Sequence, residues 1–237
     1  VVVSAYRIYL LASSKSVYWF ALTNSLDFGI IGISLIVIYL KKSAQRLSFS
    51  YKMGKIMISR SKHYILASLM VVVIQNTDHI MLTTMIGKTE NGFYSAAITC
   101  ATVAQFVYIA IIDSYRPLIL ANKKTDEVAY ERNLAGLYCI TTYMALIQGV
   151  VFTIFASLFV GILYGADYTA TVPVLQILVW YFAFSVMGTV RNVWILAEEK
   201  QKYLWIINLS GAVFNIVLNA ITIPIWGACG AAFASLL

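Results

Sequence analysis

Charged residues are scarce in this sequence of 237 residues. They make up 11% of the chain, against about 25% in an average globular domain. Hydrophobic residues make up 61%, and several apolar runs exceed the ~20 residues that a helix needs to cross a hydrocarbon core. Because these runs lack the alternation of a transmembrane β-barrel, the sequence predicts an all-α, polytopic membrane helix bundle.

Catalytic and metal-binding patterns are also lacking. The chain has 2 histidines and 3 cysteines, and Cys100, Cys139 and Cys229 lie far apart in apolar stretches, which predicts neither a disulfide framework nor a metal site. No glycine-rich phosphate loop, GxSxG, HExxH or CxxC occurs. We therefore expect a protein that is not an enzyme and binds no cofactor, with H⁺ or Na⁺ coupling left open.

About eight hydrophobic segments are present, of which six have the length of complete membrane spans. We place them at 1–13, 17–40, 63–87, 91–120, 131–163, 171–197, 203–223 and 227–237. The first and last are short, so we interpret the chain as a fragment. The long run 131–163 is predicted to tilt or to break near Gly149.

Basic residues are confined to alternate loops. Residues 41–62 hold seven and no acidic residue, and the loops 121–130 and 198–202 hold two each, whereas the opposite loops hold only Lys15 and Lys88. The positive-inside rule makes the basic side cytoplasmic. The net charge of +7 then reflects topology and contact with anionic lipid, and no nucleic-acid partner is expected. Residues 51–60 are predicted to be a short interfacial helix or an irregular tether.

A polar face interrupts the third segment at QNTDHIML, residues 75–82. At 100° per residue, Asp78 and His79 share an arc with Gln75 and Thr83. Ionisable groups within a span face other helices or a cavity. The pattern leaves three interpretations open: an interhelical hydrogen-bond cluster, the lining of a transport cavity, and a metal or acid–base site.

Other charges also lie within the apolar segments. Asp27 is about as deep as Asp78, and Arg7 lies in the first segment. Asp113 and Arg116 are three residues apart and can pair on one helix face. Arg191 is about 9 Å from the inner end of its segment at 1.5 Å per residue, so its side chain can reach the interface.

Amides form a stripe along the segment 203–223. The spacing of three or four residues places them on one helix face, where they can pack against a neighbouring helix or bind sugar hydroxyls. The stripe comprises Asn208, Gly211, Asn215, Asn219 and Thr222.

The stretch DHIMLTTMIGKTENGFYSAA, residues 78–97, resembles the signature of the polysaccharide (O-antigen type) flippases. These belong to the multidrug/oligosaccharidyl-lipid/polysaccharide exporter superfamily. Further similar stretches follow in the same order as in the family. They are LSFSYKMGKIMISRSKHYILASLM before the signature and DSYRPLI, GILYGADYTATVPVLQIL, RNVWILAEEK and NIVLNAITIPIWGACGAAFASLL after it.

The resemblance implies two lobes of six helices around a central cavity. Residues 1–40 would be the last two helices of the first lobe, 41–62 a basic cytoplasmic linker, and 63–237 the second lobe. Such a protein moves undecaprenyl-diphosphate-linked oligosaccharide across the bacterial inner membrane by alternating access. Its implied partners are the lipid-linked oligosaccharide, membrane lipids, a glycan polymerase and a chain-length regulator.

Substrate-path or coupling residues follow from the resemblance and the intramembrane positions together. Asp78 matches the aspartate of the signature, and arginine suits phosphate through its two-pronged guanidinium. The candidates are Asp78, Arg191, Arg116, Asn215, Asn219 and Asp27.

Three alternatives stay open. A drug/cation antiporter of the same superfamily would prefer an acidic cavity, which Arg116 and Arg191 argue against. A membrane-embedded glycan polymerase or ligase would be expected to carry a large external loop, which these residues lack. A purely structural membrane scaffold would not need the intramembrane charges.

Overall fold

A computed structural model describes residues 6–7, 9–10, 13, 17–42 and 50–237. This part of the chain is helical and contains no strand. Contacts divide the chain into two compact units, Val1–Ile56 and Met57–Leu237, which are described separately. In the first unit, α1 runs from Val17 to Lys42.

Among the described residues, seven further α-helices follow α1. The first of them, α2, begins at Tyr51, so residues 51–60 form a helix that continues into the predicted membrane segment. The helices are α2 Tyr51–Met85, α3 Lys88–Ala101, α4 Gln105–Thr125, α5 Glu127–Ile154, α6 Ala156–Tyr164, α7 Thr171–Ala197 and α8 Leu204–Leu236.

A bend of 48° separates α3 from α4, where the sequence predicts one continuous segment over 91–120. Residues 102–104 contain no proline or glycine. At the bend, the Ala101 carbonyl accepts a hydrogen bond from α5, because the side-chain amide of Gln148 donates to it at 3.0 Å. The Tyr108 hydroxyl donates to the side-chain oxygen of Gln148 at 2.8 Å. A side chain from a different helix therefore stabilises the bend.

The long run 131–163 does break, but at Phe155 and not near Gly149 as predicted. Helix α5 ends at Ile154 and α6 starts at Ala156. Gly149 lies at a close contact: a Cβ there would lie 3.1 Å from the Trp180 ring. The glycine thus marks a close approach between α5 and α7, which is a common use of small residues in membrane bundles.

Helix α8 is a hairpin of two helices joined at Gly227, where φ is 56°. The left-handed conformation suits a residue without Cβ. Residues 228–236 fold back along 204–226, so that the Thr222 hydroxyl donates to the Gly230 carbonyl at 2.9 Å. A Cβ on Gly230 would overlap the Thr222 carbonyl. The break agrees with the two predicted segments 203–223 and 227–237.

The fold is that of an all-α polytopic membrane protein. Among the described residues, four helices are long and apolar enough to cross a membrane, or five if the bent α3–α4 pair is one span. Large apolar side chains are exposed along α2, α5 and α8, as expected where lipid and not water is the solvent. The buried core lies mainly between α3, α6, α7 and α8.

Candidate functional site

Asp78 lies at the centre of a buried polar cluster that three segments of the chain build. Its side chain is on α2 and is 5% exposed. The Tyr94 hydroxyl of α3 donates to Oδ2 at 2.6 Å, and the Ser235 hydroxyl donates to the same oxygen at 2.7 Å. The Asn219 amide donates to Oδ1 at 2.5 Å. Both carboxylate oxygens are therefore engaged, and we call these residues together with Asn215 the Asp78 cluster.

Asn215 and Asn219 belong to the cluster because they are one helical turn apart on α8. The Asn219 amide donates to the Asn215 side-chain oxygen at 3.0 Å, and Asn215 donates to Ser235 at 3.4 Å. Asn219 is fully buried. Within the described part of the chain its own Oδ1 has no hydrogen-bond partner, which leaves one spare oxygen ligand beside the carboxylate.

The charge of Asp78 is not balanced by a basic side chain. Every hydrogen-bond donor that the described residues present to it is neutral, and no ion pair involves it. A buried carboxylate without a counter-ion is costly. The carboxylate and side-chain oxygen atoms of the cluster are the kind of ligands that a small cation takes.

His79 has a different hydrogen-bond partner from Asp78 but contacts the same tyrosine. Its Nδ1 lies 2.7 Å from the Asn91 side-chain oxygen, and its ring meets the Tyr94 ring edge-on at 5.3 Å. Gln75 is exposed. Within the predicted polar arc of α2, Asp78 is thus buried, His79 is half-buried against α3, and Gln75 is exposed.

Glu90 of α3 holds the hairpin turn of α8 in place. Its carboxylate accepts from the Ala228 backbone N–H at 2.9 Å, where a negative charge also complements the start of a helix. A Cβ on Gly227 would lie 2.8 Å from the same carboxylate. This contact fixes the segment that carries Ser235 to Asp78.

Arg116 lines a separate cavity of about 290 Å³ between α2, α4, α7 and α8. The predicted pair with Asp113 is present at 3.1 Å, and both side chains are about half exposed. Asn208 of the predicted amide stripe also borders this cavity and donates to the Ala67 carbonyl at 3.3 Å.

Arg191 belongs to neither of these two sites. It is half-buried, and its Nε has no hydrogen-bond partner among the described residues. It does not line the Arg116 cavity. In the first unit, Asp27 accepts from the Arg7 guanidinium at 2.8 Å.

Four residues of these clusters are not among the candidates that the sequence indicates. One of them, Tyr94, is the tyrosine of the NGFYSAA stretch, so its place in the family signature could have indicated it. Ser235, Glu90 and Gln148 carry no signal of their own, because each matters only through a partner far away in the sequence.

A network of polar and charged groups joins three helix ends on the side predicted to be cytoplasmic. Glu198, just after α7, accepts from Lys123 at 2.8 Å and from the Tyr130 hydroxyl at 3.0 Å. Lys200 lies 3.9 Å away. The hydrogen bond from Lys123, followed by that from Tyr130, holds the pKa of the Glu198 carboxyl below its usual value.

Comparison with known proteins agrees with this architecture. The family model described as "Polysaccharide biosynthesis protein" matches residues 1–173. The chain belongs to this family. The match covers most of the chain and confirms the resemblance that the motifs of residues 78–97 indicate.

A curated relative is also similar to part of the chain. It is the protein of Salmonella typhi named "Putative O-antigen transporter", which is 20% identical over 187 residues. The alignment covers 75% of this chain and 41% of the relative, so the chain spans about two fifths of that protein's length. No solved structure matches.

Proposed function

We propose that this member of the polysaccharide biosynthesis family is a flippase. Its substrate would be undecaprenyl-diphosphate-linked oligosaccharide, moved across the bacterial inner membrane by alternating access for surface polysaccharides such as O-antigen. The observation that carries the proposal is the family match over residues 1–173. The relative named as an O-antigen transporter supports it.

The Arg116 cavity suits the diphosphate of such a substrate. A guanidinium binds phosphate oxygens through two parallel hydrogen bonds. Arg116 is half exposed in a cavity of about 290 Å³, so a phosphate can replace Asp113 as its partner. Arg191, which does not line this cavity, stays a second candidate residue of the substrate path.

The Asp78 cluster is the proposed coupling site. Its carboxylate is buried and has only neutral donors among the described residues, so binding of H⁺ or Na⁺ would change the net charge of the cluster. Such a change can bias two conformations of a lobe. In this role Asn215 and Asn219 help to hold the ion and do not contact the sugar, and Asp27 remains a coupling candidate in the first unit.

The proposed orientation follows the basic residues. Residues 41–62, 121–130 and 198–202 would be cytoplasmic, with 41–62 linking two lobes. Lipid-linked oligosaccharide and membrane lipids are the direct partners, and a glycan polymerase and a chain-length regulator would act on the transported product. A flippase breaks no covalent bond of its substrate, so no enzymatic chemistry is proposed.

Arginine substitutions test the proposal. The native protein is expressed in cells that lack their own copy, and surface glycan is quantified together with lipid-linked oligosaccharide retained on the cytoplasmic face. We expect Arg116→Ala to lower surface glycan at least tenfold while the intermediate accumulates, since a charged hydrogen bond contributes about 1.5–3 kcal/mol. Arg132→Ala, which changes an exposed arginine at the start of α5, is the matched control. Normal export by Arg116→Ala at equal membrane levels would contradict the role of this cavity.

A further inference from the structure

Two neighbouring cavities lie along α4 and α7. The cavity of about 290 Å³ and a smaller one of about 50 Å³ meet at Thr189, which lines both. The smaller cavity lies beside the bend between α3 and α4. We call the surface over both cavities the α4–α7 groove, and its polar lining includes Gln105, Tyr108, Arg116, Ser185, Thr189 and Asn192.

Helix periodicity aligns the polar residues of the two cavities along one face of α7. Along α7, Ser185, Thr189 and Asn192 are spaced by four and three residues, which places them on one face. Gln105 and Arg116 mark the two ends on α4. Their separation of 11 residues corresponds to about 16 Å at 1.5 Å per residue. The stretch of α4 between them is thus long enough for several linked sugars to lie along its surface.

The chemistry of the groove differs from end to end. Arg116 is the one charged residue that lines it in the described part of the chain, and it lies at one end. Elsewhere the polar lining consists of hydroxyl and amide groups. Such groups both donate and accept hydrogen bonds, as sugar hydroxyls do. Ser185, Thr189 and Asn192 are exposed, so they are available to a ligand.

We propose that the α4–α7 groove binds the glycan of the lipid-linked substrate, with the diphosphate at Arg116 and the distal sugars at Gln105 and Ser185. This inference rests on the proposed transport function and adds the residues that select the glycan. Gln105 and Ser185 are then specificity-determining residues: they contact only the sugars that lie far from the phosphate. Thr189 lies where the cavities meet, so it contacts sugars that are nearer to the phosphate.

A transport assay with two probes tests the proposal. The native protein is reconstituted in liposomes with the prenyl-diphosphate oligosaccharide extracted from its source cells, or with a prenyl diphosphate that carries a single sugar. For the double variant Gln105→Leu/Ser185→Ala we expect a roughly two- to tenfold slower transport of the oligosaccharide for each hydrogen bond lost. Transport of the single-sugar probe should stay within about twofold.

Two further variants serve as controls. Ser114→Ala removes an exposed hydroxyl of α4 that bonds the Ala110 carbonyl at 2.7 Å. Ser114 lies about 160° from both Arg116 and Ile112 of the groove, so neither probe should be affected. Ser185→Thr in the single-site background keeps the hydroxyl and should transport the oligosaccharide normally, which separates recognition from folding.

The outcomes are distinguishable. Equal slowing of both probes by the double variant, or slowing of neither, would overturn the glycan-binding role of the groove while transport itself stands. If the wild-type protein moves neither probe, the proposed transport function fails and this inference fails with it.

Discussion

Two carboxylates of this protein each accept a hydrogen bond from a tyrosine hydroxyl, yet their surroundings differ. Glu198 pairs with Tyr130 at 3.0 Å and with Lys123 at 2.8 Å, and its side chain is 22% exposed. Asp78 pairs with Tyr94 at 2.6 Å and is 5% exposed. No basic side chain among the described residues balances it.

The difference lies in whether a basic side chain accompanies the carboxylate. At the helix ends, Lys123 and Lys200 lie beside Glu198 and offset its charge. Inside the helix bundle, the described residues offer Asp78 only neutral donors, and in the proposed coupling role a bound H⁺ or cation would offset its charge. The same pair of functional groups thus lies in two environments that differ in burial and in counter-ion.

The largest expected effect on transport comes from removing the carboxylate charges of Asp78 and Glu198 in separate variants. Asp78→Asn should lower transport by about 100-fold or more, the range typical of a lost proton-transfer group, whereas Glu198→Gln should change it by less than about threefold. Surface glycan and the membrane level of each variant measure this. If Asp78→Asn exports glycan normally, Asp78 is a structural tie like Glu198 and the contrast disappears.

The next effect concerns the close packing that shapes the buried site. Gly230→Ala should lower the free energy of unfolding by about 1–3 kcal/mol, because its Cβ would overlap the Thr222 carbonyl and displace Ser235 from Asp78. Gly211→Ala is the matched control, since nothing lies within 4 Å of a Cβ there; it should be neutral or stabilise α8 by up to about 1 kcal/mol. Thermal unfolding in detergent measures both, and equal melting temperatures would count against the packing described.

Removing each tyrosine hydroxyl sharpens the comparison. Tyr94→Phe should destabilise the protein by about 1.5–3 kcal/mol, the contribution of a hydrogen bond to a charged group. Tyr130→Phe should cost about 1 kcal/mol or less, since Lys123 still donates to Glu198. Chemical unfolding of the two variants provides the values, and a larger loss for Tyr130→Phe would reverse our interpretation of the two sites.

The smallest effect is the pH dependence at Glu198. Its folded pKa is lowered, so its contribution to stability is present above the unfolded value of about 4.3 and is lost as the pH falls through the folded value. We expect the stability difference between wild type and Glu198→Gln to be about 1 kcal/mol or less at pH 7 and to shrink below about pH 4. It should also shrink in 1 M salt. A difference that grows on acidification would show that another group is responsible.

Hydropathy and periodicity predict much of this molecule. The apolar runs locate the helices, and the predicted division into 203–223 and 227–237 agrees with the break at Gly227. The helical periodicity of α2 predicts that Asp78 lies on a polar face, and the spacing of the amides on α8 predicts that Asn215 and Asn219 share one face. These features depend on local sequence, where one helix face or one turn decides the outcome.

Features that depend on distant partners are not predictable in this way. The bend between α3 and α4 has no proline or glycine, and Gln148 of α5 supplies its hydrogen bond. The long run breaks at Phe155, six residues after Gly149, near which the sequence predicts the break. Nothing local to Arg7 or Asp27 indicates that they pair. Each case is decided by packing between segments.

The Asp78 cluster also has a consequence for how the protein is made. Asp78 and Tyr94 are 16 residues apart, but Asn219 follows Asp78 by 141 residues and Ser235 by 157. During synthesis the carboxylate therefore enters the membrane long before two of its three donors exist. Until the α8 hairpin arrives, the nascent chain carries an incompletely solvated acid, which a proton, water or the insertion machinery must accommodate.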